Sequence, residues 1–177
     1  MERARTATGA GLFALALLAA APAAAQLRLG SPGDPPRIAL EGGAFDALPN
    51  HSQSTSRTAA DIRGEYRFGD RLWFIAPFIG ASGTSDGAFY GYFGFGFDIN
   101  FGPHWVLTPN AAAGYFYRGG GTNLGSWWEF RTGAEIDYRF ANLTRLGVAV
   151  HHMSNAGLTR RNPGEESVTL VYTVPLP

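Results

Sequence analysis

His152, Ser154 and Glu166 are the residues of this chain whose types and spacing suit covalent chemistry. A serine hydroxyl becomes a nucleophile when a neighbouring imidazole takes its proton. A carboxylate at the other ring nitrogen holds that imidazole and stabilises its charged form. His152 and Ser154 stand two apart, so an extended strand puts them on one face. Glu166 follows a stretch bearing Gly, Asn and Pro that can return the chain beside them. Such a set would cleave an ester. Asn155, with the backbone amides of Ala156 or Gly157, lies where donors to an oxyanion would be needed. An H-x-S pair is common, and the same three residues also fit the polar rim of an inert barrel.

The elements that must position them follow a two-residue period. In 126–140, Trp128, Phe130, Thr132, Ala134, Ile136 and Tyr138 make one face, and Glu129, Arg131, Gly133, Glu135, Asp137 and Arg139 the other. The first face suits hydrocarbon; the second suits an interior where opposite charges pair. The same split places Ile62, Tyr66 and Phe68 opposite Asp61, Arg63, Glu65 and Arg67. In 88–101 it sets a row of phenylalanines against small residues such as Gly94 and Gly96, as a narrow barrel requires. Eight segments read this way: about 36–47, 59–69, 71–81, 88–101, 105–118, 126–140, 144–153 and 166–176. Tight turns are expected at Gly69-Asp70, Gly102-Pro103 and Ala141-Asn142, alternating with longer loops at 48–58, 82–87, 119–125 and 154–165. The pattern predicts an all-β fold, an eight-stranded antiparallel transmembrane β-barrel. A soluble β-sandwich or barrel with its faces reversed fits the alternation alone. The aromatic weight of the apolar face and the alternating turn lengths favour the membrane.

Parity then orients the candidate residues. Leu146, Val148 and Val150 are lipid-directed, so His152 and Ser154 face outward near the loop end of their strand. Glu166 begins the face that carries Val168, Leu170 and Tyr172. A histidine and a carboxylate facing lipid are costly unless they pair and work.

The rest of the composition narrows the classes. Arg3 and Arg5 precede an apolar run at 11–21 and an Ala23-Ala24-Ala25 tail, so residues 1–25 read as a cleaved signal peptide and 26–177 as the barrel domain. There is no cysteine, so an exported domain would owe nothing to disulfides. Formal net charge is zero, which gives no support to nucleic-acid binding. His51 and His104 are isolated and read as loop or interface residues, with no metal site expected. His151 has inward parity and is expected to meet an interior carboxylate. Trp105, Trp127 and Trp128 lie near segment ends as interfacial anchors. Gly119-Gly120-Gly121 reads as a flexible loop, not a phosphate cradle, since no lysine follows.

The block His152-Met153-Ser154-Asn155-Ala156-Gly157, then Asn162-Pro163-Gly164, then Glu166, resembles the signature of the lipid A 3-O-deacylase family. The resemblance extends over the mature region. It implies His152 as base, Ser154 as nucleophile, Glu166 as third member and Asn155 in the oxyanion site. It implies a bacterial outer-membrane enzyme that removes the 3-hydroxyacyl chain ester-linked at position 3 of lipid A. Its partners would be lipid A or lipopolysaccharide and the surrounding outer-membrane lipids; no cofactor and no metal is implied, and a homodimer is compatible with it. An outer-membrane phospholipase and a non-enzymatic structural or adhesive barrel are the competing readings. Two features depart from the family pattern. Met153 replaces an aromatic, which is expected to bear on acyl packing, and the chain ends Val174-Pro175-Leu176-Pro177 instead of in an aromatic, which bears on insertion. Membrane-extracted protein is expected to begin near Gln26; N-terminal sequencing that still read Met1 would remove the signal-peptide assignment.

Overall fold

The computed structural model describes residues 27–31, 33–48 and 57–177. Residues 1–25, expected to be cleaved, and His51 lie outside them. Ten strands are present among the described residues. They are β1 (Leu27–Leu29), β2 (Arg37–Phe45), β3 (Ala59–Arg67), β4 (Ile75–Thr84) and β5 (Phe89–Phe97), then β6 (Ile99–Phe101), β7 (Trp105–Tyr117), β8 (Trp128–Arg139), β9 (Arg145–Ser154) and β10 (Glu165–Pro175). β2, β3, β4, β5, β7, β8, β9 and β10 pair in a ring, closed by the β10–β2 and β7–β8 ladders. The result is the expected eight-stranded antiparallel barrel. β6 continues the line of β5 beyond Asp98, and the short β1 covers its free edge.

The two-residue period sorted the wall as expected. Arg63, Glu65, Glu129, Arg131, Glu135 and Asp137 all point into the barrel and are buried. Ile62, Phe93, Phe95, Ile136, Val150 and Leu170 point out and are exposed. A wall that is apolar outside and ionic inside suits a lipid solvent and no other. Aromatic side chains gather at both ends: Trp73, Trp105 and Phe140 at the end with tight turns, Trp127, Trp128, Tyr115 and Tyr117 at the other. From Trp128 to Tyr138, β8 takes ten steps, about 33 Å at ~3.3 Å per residue. A tilt of roughly 40° leaves about 25 Å along the axis, the height of a transmembrane barrel's apolar band.

The interior is filled in two layers. Toward the loop end, Phe45, Phe78, Tyr90, Tyr92, Phe116, Leu124 and Met153 form an apolar plug. It fits because small residues face it: a side chain on Gly80 would reach to 2.7 Å of the Tyr92 ring, and one on Gly94 would strike Phe78. Below it lies an ion network. Arg67 donates to both carboxylate oxygens of Glu135 at 2.8 and 2.7 Å, and to Glu65 at 3.0 Å. Glu65 also accepts from Arg131 at 2.8 Å and from the Tyr92 hydroxyl at 3.0 Å, while Arg131 lies 4.3 Å over the Tyr92 ring. Arg145 bridges Asp98 and Asp34 near the turn end.

Four expectations need correction. The β3–β4 reversal is not at Gly69-Asp70 but at Trp73-Phe74, where Leu72 and Ile75 exchange two hydrogen bonds. β4 therefore starts at Ile75, and Trp73 takes φ 59°. His151 is buried but meets a cation: Arg63 lies 3.1 Å from its Nδ1. A guanidinium can only donate, so Nδ1 accepts. Met153 belongs to the interior plug, so it cannot pack against a chain on the outer wall. The segment 119–121 is tied down, with Gly120 N–H donating to Asp86 O and Gly121 N–H to Arg118 O. His104 does behave as an interface residue, 3.0 Å from Arg139 O through Nδ1 and stacked on Tyr138.

Arg67→Met would leave Glu135 without its cation, while Glu65 would keep Arg131. A broken buried pair costs about 3–5 kcal/mol. The urea midpoint for loss of the folded, heat-modifiable band should fall accordingly in detergent; an unchanged midpoint would show that this network does not stabilise the barrel.

Candidate active site

β9 and β10 place the three candidate residues. Their antiparallel register sets His152 directly opposite Glu166, and Val150 opposite Val168 one pleat below. Directly opposed residues on one face have Cβ atoms about 5 Å apart, close enough for a side-chain bond. His152 Nδ1 lies 3.2 Å from Glu166 Oε1. An ionised carboxylate can only accept, so Nδ1 is the donor of this bond, and in the neutral ring Nε2 is then the acceptor. Both side chains are about half exposed, 49% and 47%, on the outer wall. Ser154 ends β9 on the same face, opposite Phe130 of β8. Among the described residues no hydrogen bond joins its hydroxyl to the ring. Beneath the trio the wall is apolar: Val148, Val150, Val168 and Leu170 are all exposed.

After Ser154 the chain leaves the strand, and parity no longer governs it. Asn155 turns inward and is fully buried. Its Nδ2 donates to Leu124 O at 2.8 Å and Arg161 O at 2.7 Å, and its Oδ1 accepts from Gly157 N–H at 3.0 Å. The Asn155 carboxamide is thus committed to the loops, and so is the Gly157 amide. Of the expected oxyanion donors, Ala156 N–H is the one that no hydrogen bond claims among the described residues. Ala156 holds φ 51°. A non-glycine residue in that region costs of order 1–3 kcal/mol and persists only where its surroundings hold it.

A family model described as lipid A 3-O-deacylase (PagL) matches residues 58–175, which include His152, Ser154 and Glu166. The chain belongs to the lipid A 3-O-deacylase (PagL) family. Lipid A deacylase PagL of Pseudomonas aeruginosa is 42% identical over 59 residues, 33% of this chain and 34% of that protein. This match therefore spans about a third of the curated relative's length. The crystal structure of the outer membrane enzyme PagL superposes with a TM-score of 0.63 at 23% identity, covering 79% of this chain and 99% of that one. A de novo designed transmembrane β-barrel follows at a TM-score of 0.54 and 14% identity, covering 83% of this chain and 100% of that one. The fold of this family member is that of an outer-membrane barrel.

Two loops brace the site in ways the sequence did not announce. Asn162 Oδ1 accepts the backbone N–H of Asn155 at 2.9 Å, so the Asn-Pro-Gly turn holds the residue that follows Ser154. Arg161 Nε donates to Asn123 O at 3.0 Å, and Thr159 Oγ1 lies 2.8 Å from Arg161 O and 3.2 Å from Gly125 O. The 155–164 loop is thereby tied to the neighbouring 118–127 loop at the barrel mouth. An asparagine directly before proline was the one available signal for this brace.

Asn155→Ala would leave the buried Leu124 carbonyl without its donor and the Gly157 amide without its acceptor. Each unsatisfied buried group costs about 1–3 kcal/mol. Trypsin should then cut after Arg160 or Arg161 about ten times faster or more in folded protein. Unchanged cleavage would mean that Asn155 does not hold the loop.

Proposed function

We propose that this chain is an outer-membrane lipid A deacylase that hydrolyses the ester-linked 3-hydroxyacyl chain at position 3, with Ser154 as nucleophile, His152 as base and Glu166 as the acid that orients it. One observation carries this reading: on a wall built for hydrocarbon, His152 and Glu166 stand paired at 3.2 Å, with Ser154 two residues along the same face. Lipid-facing ionisable groups are expensive and mark function. The family membership supplies the substrate class.

The substrate arrives in the membrane plane, its sugar at the interface and its acyl chain along Val150 and Val168. His152 Nε2 takes the Ser154 proton as Oγ adds to the ester carbonyl. Glu166, already at Nδ1, stabilises the imidazolium. Ala156 N–H is the donor proposed for the oxyanion. As the intermediate collapses, the carbon–oxygen bond to the sugar breaks and His152 returns its proton to the departing 3-hydroxyl. Water, deprotonated by His152, then cleaves the acyl-serine ester, and His152 returns that proton to Ser154 Oγ as the 3-hydroxy fatty acid leaves. A site on the outer wall needs no channel through the plug.

Lipid A from expressing cells should lose one 3-hydroxyacyl chain by mass spectrometry. Ser154→Ala and His152→Ala should each abolish that loss while the barrel still folds, since neither side chain fills the interior. Glu166→Ala should keep residual activity, because the third member orients the base without making or breaking bonds to substrate. A correctly inserted Ser154→Ala protein that still removed the chain would refute the nucleophile; fatty acid release from phospholipid alone would refute the substrate.

A further inference from the structure

The glycine of the Asn162-Pro163-Gly164 turn stands against the ring of His152. A Cβ added at Gly164 would lie 2.7 Å from Cε1, 3.4 Å from Nε2 and 3.6 Å from Nδ1. Real Cβ contacts essentially never fall under 3.0 Å, so the ring as it stands admits only glycine there. Cε1 is the atom between the two ring nitrogens. Gly164 therefore abuts the edge of the imidazole that carries both Nδ1, bonded to Glu166, and Nε2, left for Ser154. The ring needs such a stop. It is about half exposed, its partner is about half exposed, and the second side-chain torsion of histidine is broad. A single hydrogen bond to a mobile carboxylate would let it swing.

The turn that carries Gly164 also serves the site on either side. Two residues earlier, Asn162 holds the Asn155 amide. Two residues later, Glu166 takes its place opposite His152. Gly164 itself adopts φ 71°, which lets the chain enter β10 with its α-carbon turned to the ring.

We propose that Gly164 is a positioning residue for His152: its bare α-carbon seats the Cε1 edge of the imidazole and, with Glu166 at Nδ1, fixes the rotation that offers Nε2 to Ser154. The proposal rests on the Ser154–His152–Glu166 reading. Any side chain at 164 must push the ring away, and displacements near 1 Å cost catalysis heavily.

The test compares Gly164→Ala with Gly87→Ala in the full-length protein folded in detergent. Gly87 has φ 78° in another loop, and a side chain there meets nothing within 4 Å. Both glycines hold left-handed backbone, and only a side chain at the first would touch His152. With purified lipid A as substrate, Gly164→Ala should lower kcat at least about tenfold with KM within about twofold, while Gly87→Ala keeps the parent kcat. In 15N-histidine spectra, the ring signals of His152, identified by their loss in His152→Asn, should move in Gly164→Ala and stay in Gly87→Ala. If the alanine variant fails to fold, Gly164→Asn brings the same Cβ to the ring with a residue that tolerates left-handed backbone. A smaller fall in kcat, an equal fall in Gly87→Ala, or unmoved ring signals would overturn the proposal. Moved ring signals together with an active Ser154→Ala protein would instead overturn the triad reading beneath it.

Discussion

A backbone amide in hydrocarbon has no water to bond, so every strand of this chain must find a neighbour on both sides. Closing the ring through the β10–β2 and β7–β8 ladders meets that demand. Once the ring is closed, the pleat sends successive side chains to opposite media. Charge goes to the lumen and hydrocarbon to the outside, strand by strand. The lumen of eight strands is narrow, which explains why bulky rings at Phe78 and Tyr92 face glycines. It also explains why the remaining space is filled by ions held within hydrogen-bond distance. Against that sorting, an outward His152, Ser154 and Glu166 stand out as the exceptions.

The site combines a rigid part with a braced one. The His152–Glu166 pairing is a register fact, fixed by the same ladder that builds the wall. The residues after Ser154 have no ladder, and side chains do the holding instead. Asn155 is the centre of that arrangement: three of its contacts go to neighbouring loop backbone. An asparagine beside a nucleophile invites an oxyanion role, yet here its carboxamide points away from the outer wall. What it does is set the path of the loop, and with it the left-handed turn at Ala156.

Wherever the two-residue period holds, the sequence was readable. The inner carboxylates and arginines of β3 and β8, and the outward face of His152, follow from parity alone. Parity gives a face and not a partner, which is why Arg63 as the neighbour of His151 was invisible: it comes from across the lumen. Met153 shows parity and motif in conflict. Its inward position was legible, but its place in a family motif suggested contact with an acyl chain. The β3–β4 turn was misplaced because Leu72, Trp73 and Phe74 read as strand, and nothing local marks a tryptophan for φ 59°. Asn155 and Gly164 lie where the period ends, and their contacts depend on how two loops meet in space.

The Arg67–Glu135 pair joins β3 to β8, strands that sit on opposite sides of the ring with three others between them by either route. Arg67 also meets Glu65 on its own strand, but Glu135 meets Arg67 only across the lumen. A half-built sheet exposes an arginine and several carboxylates to a medium that punishes both, and relief arrives only when the far wall comes round. Closing the ring therefore does two things at once: it pairs the last backbone edges and it brings Glu135 its cation.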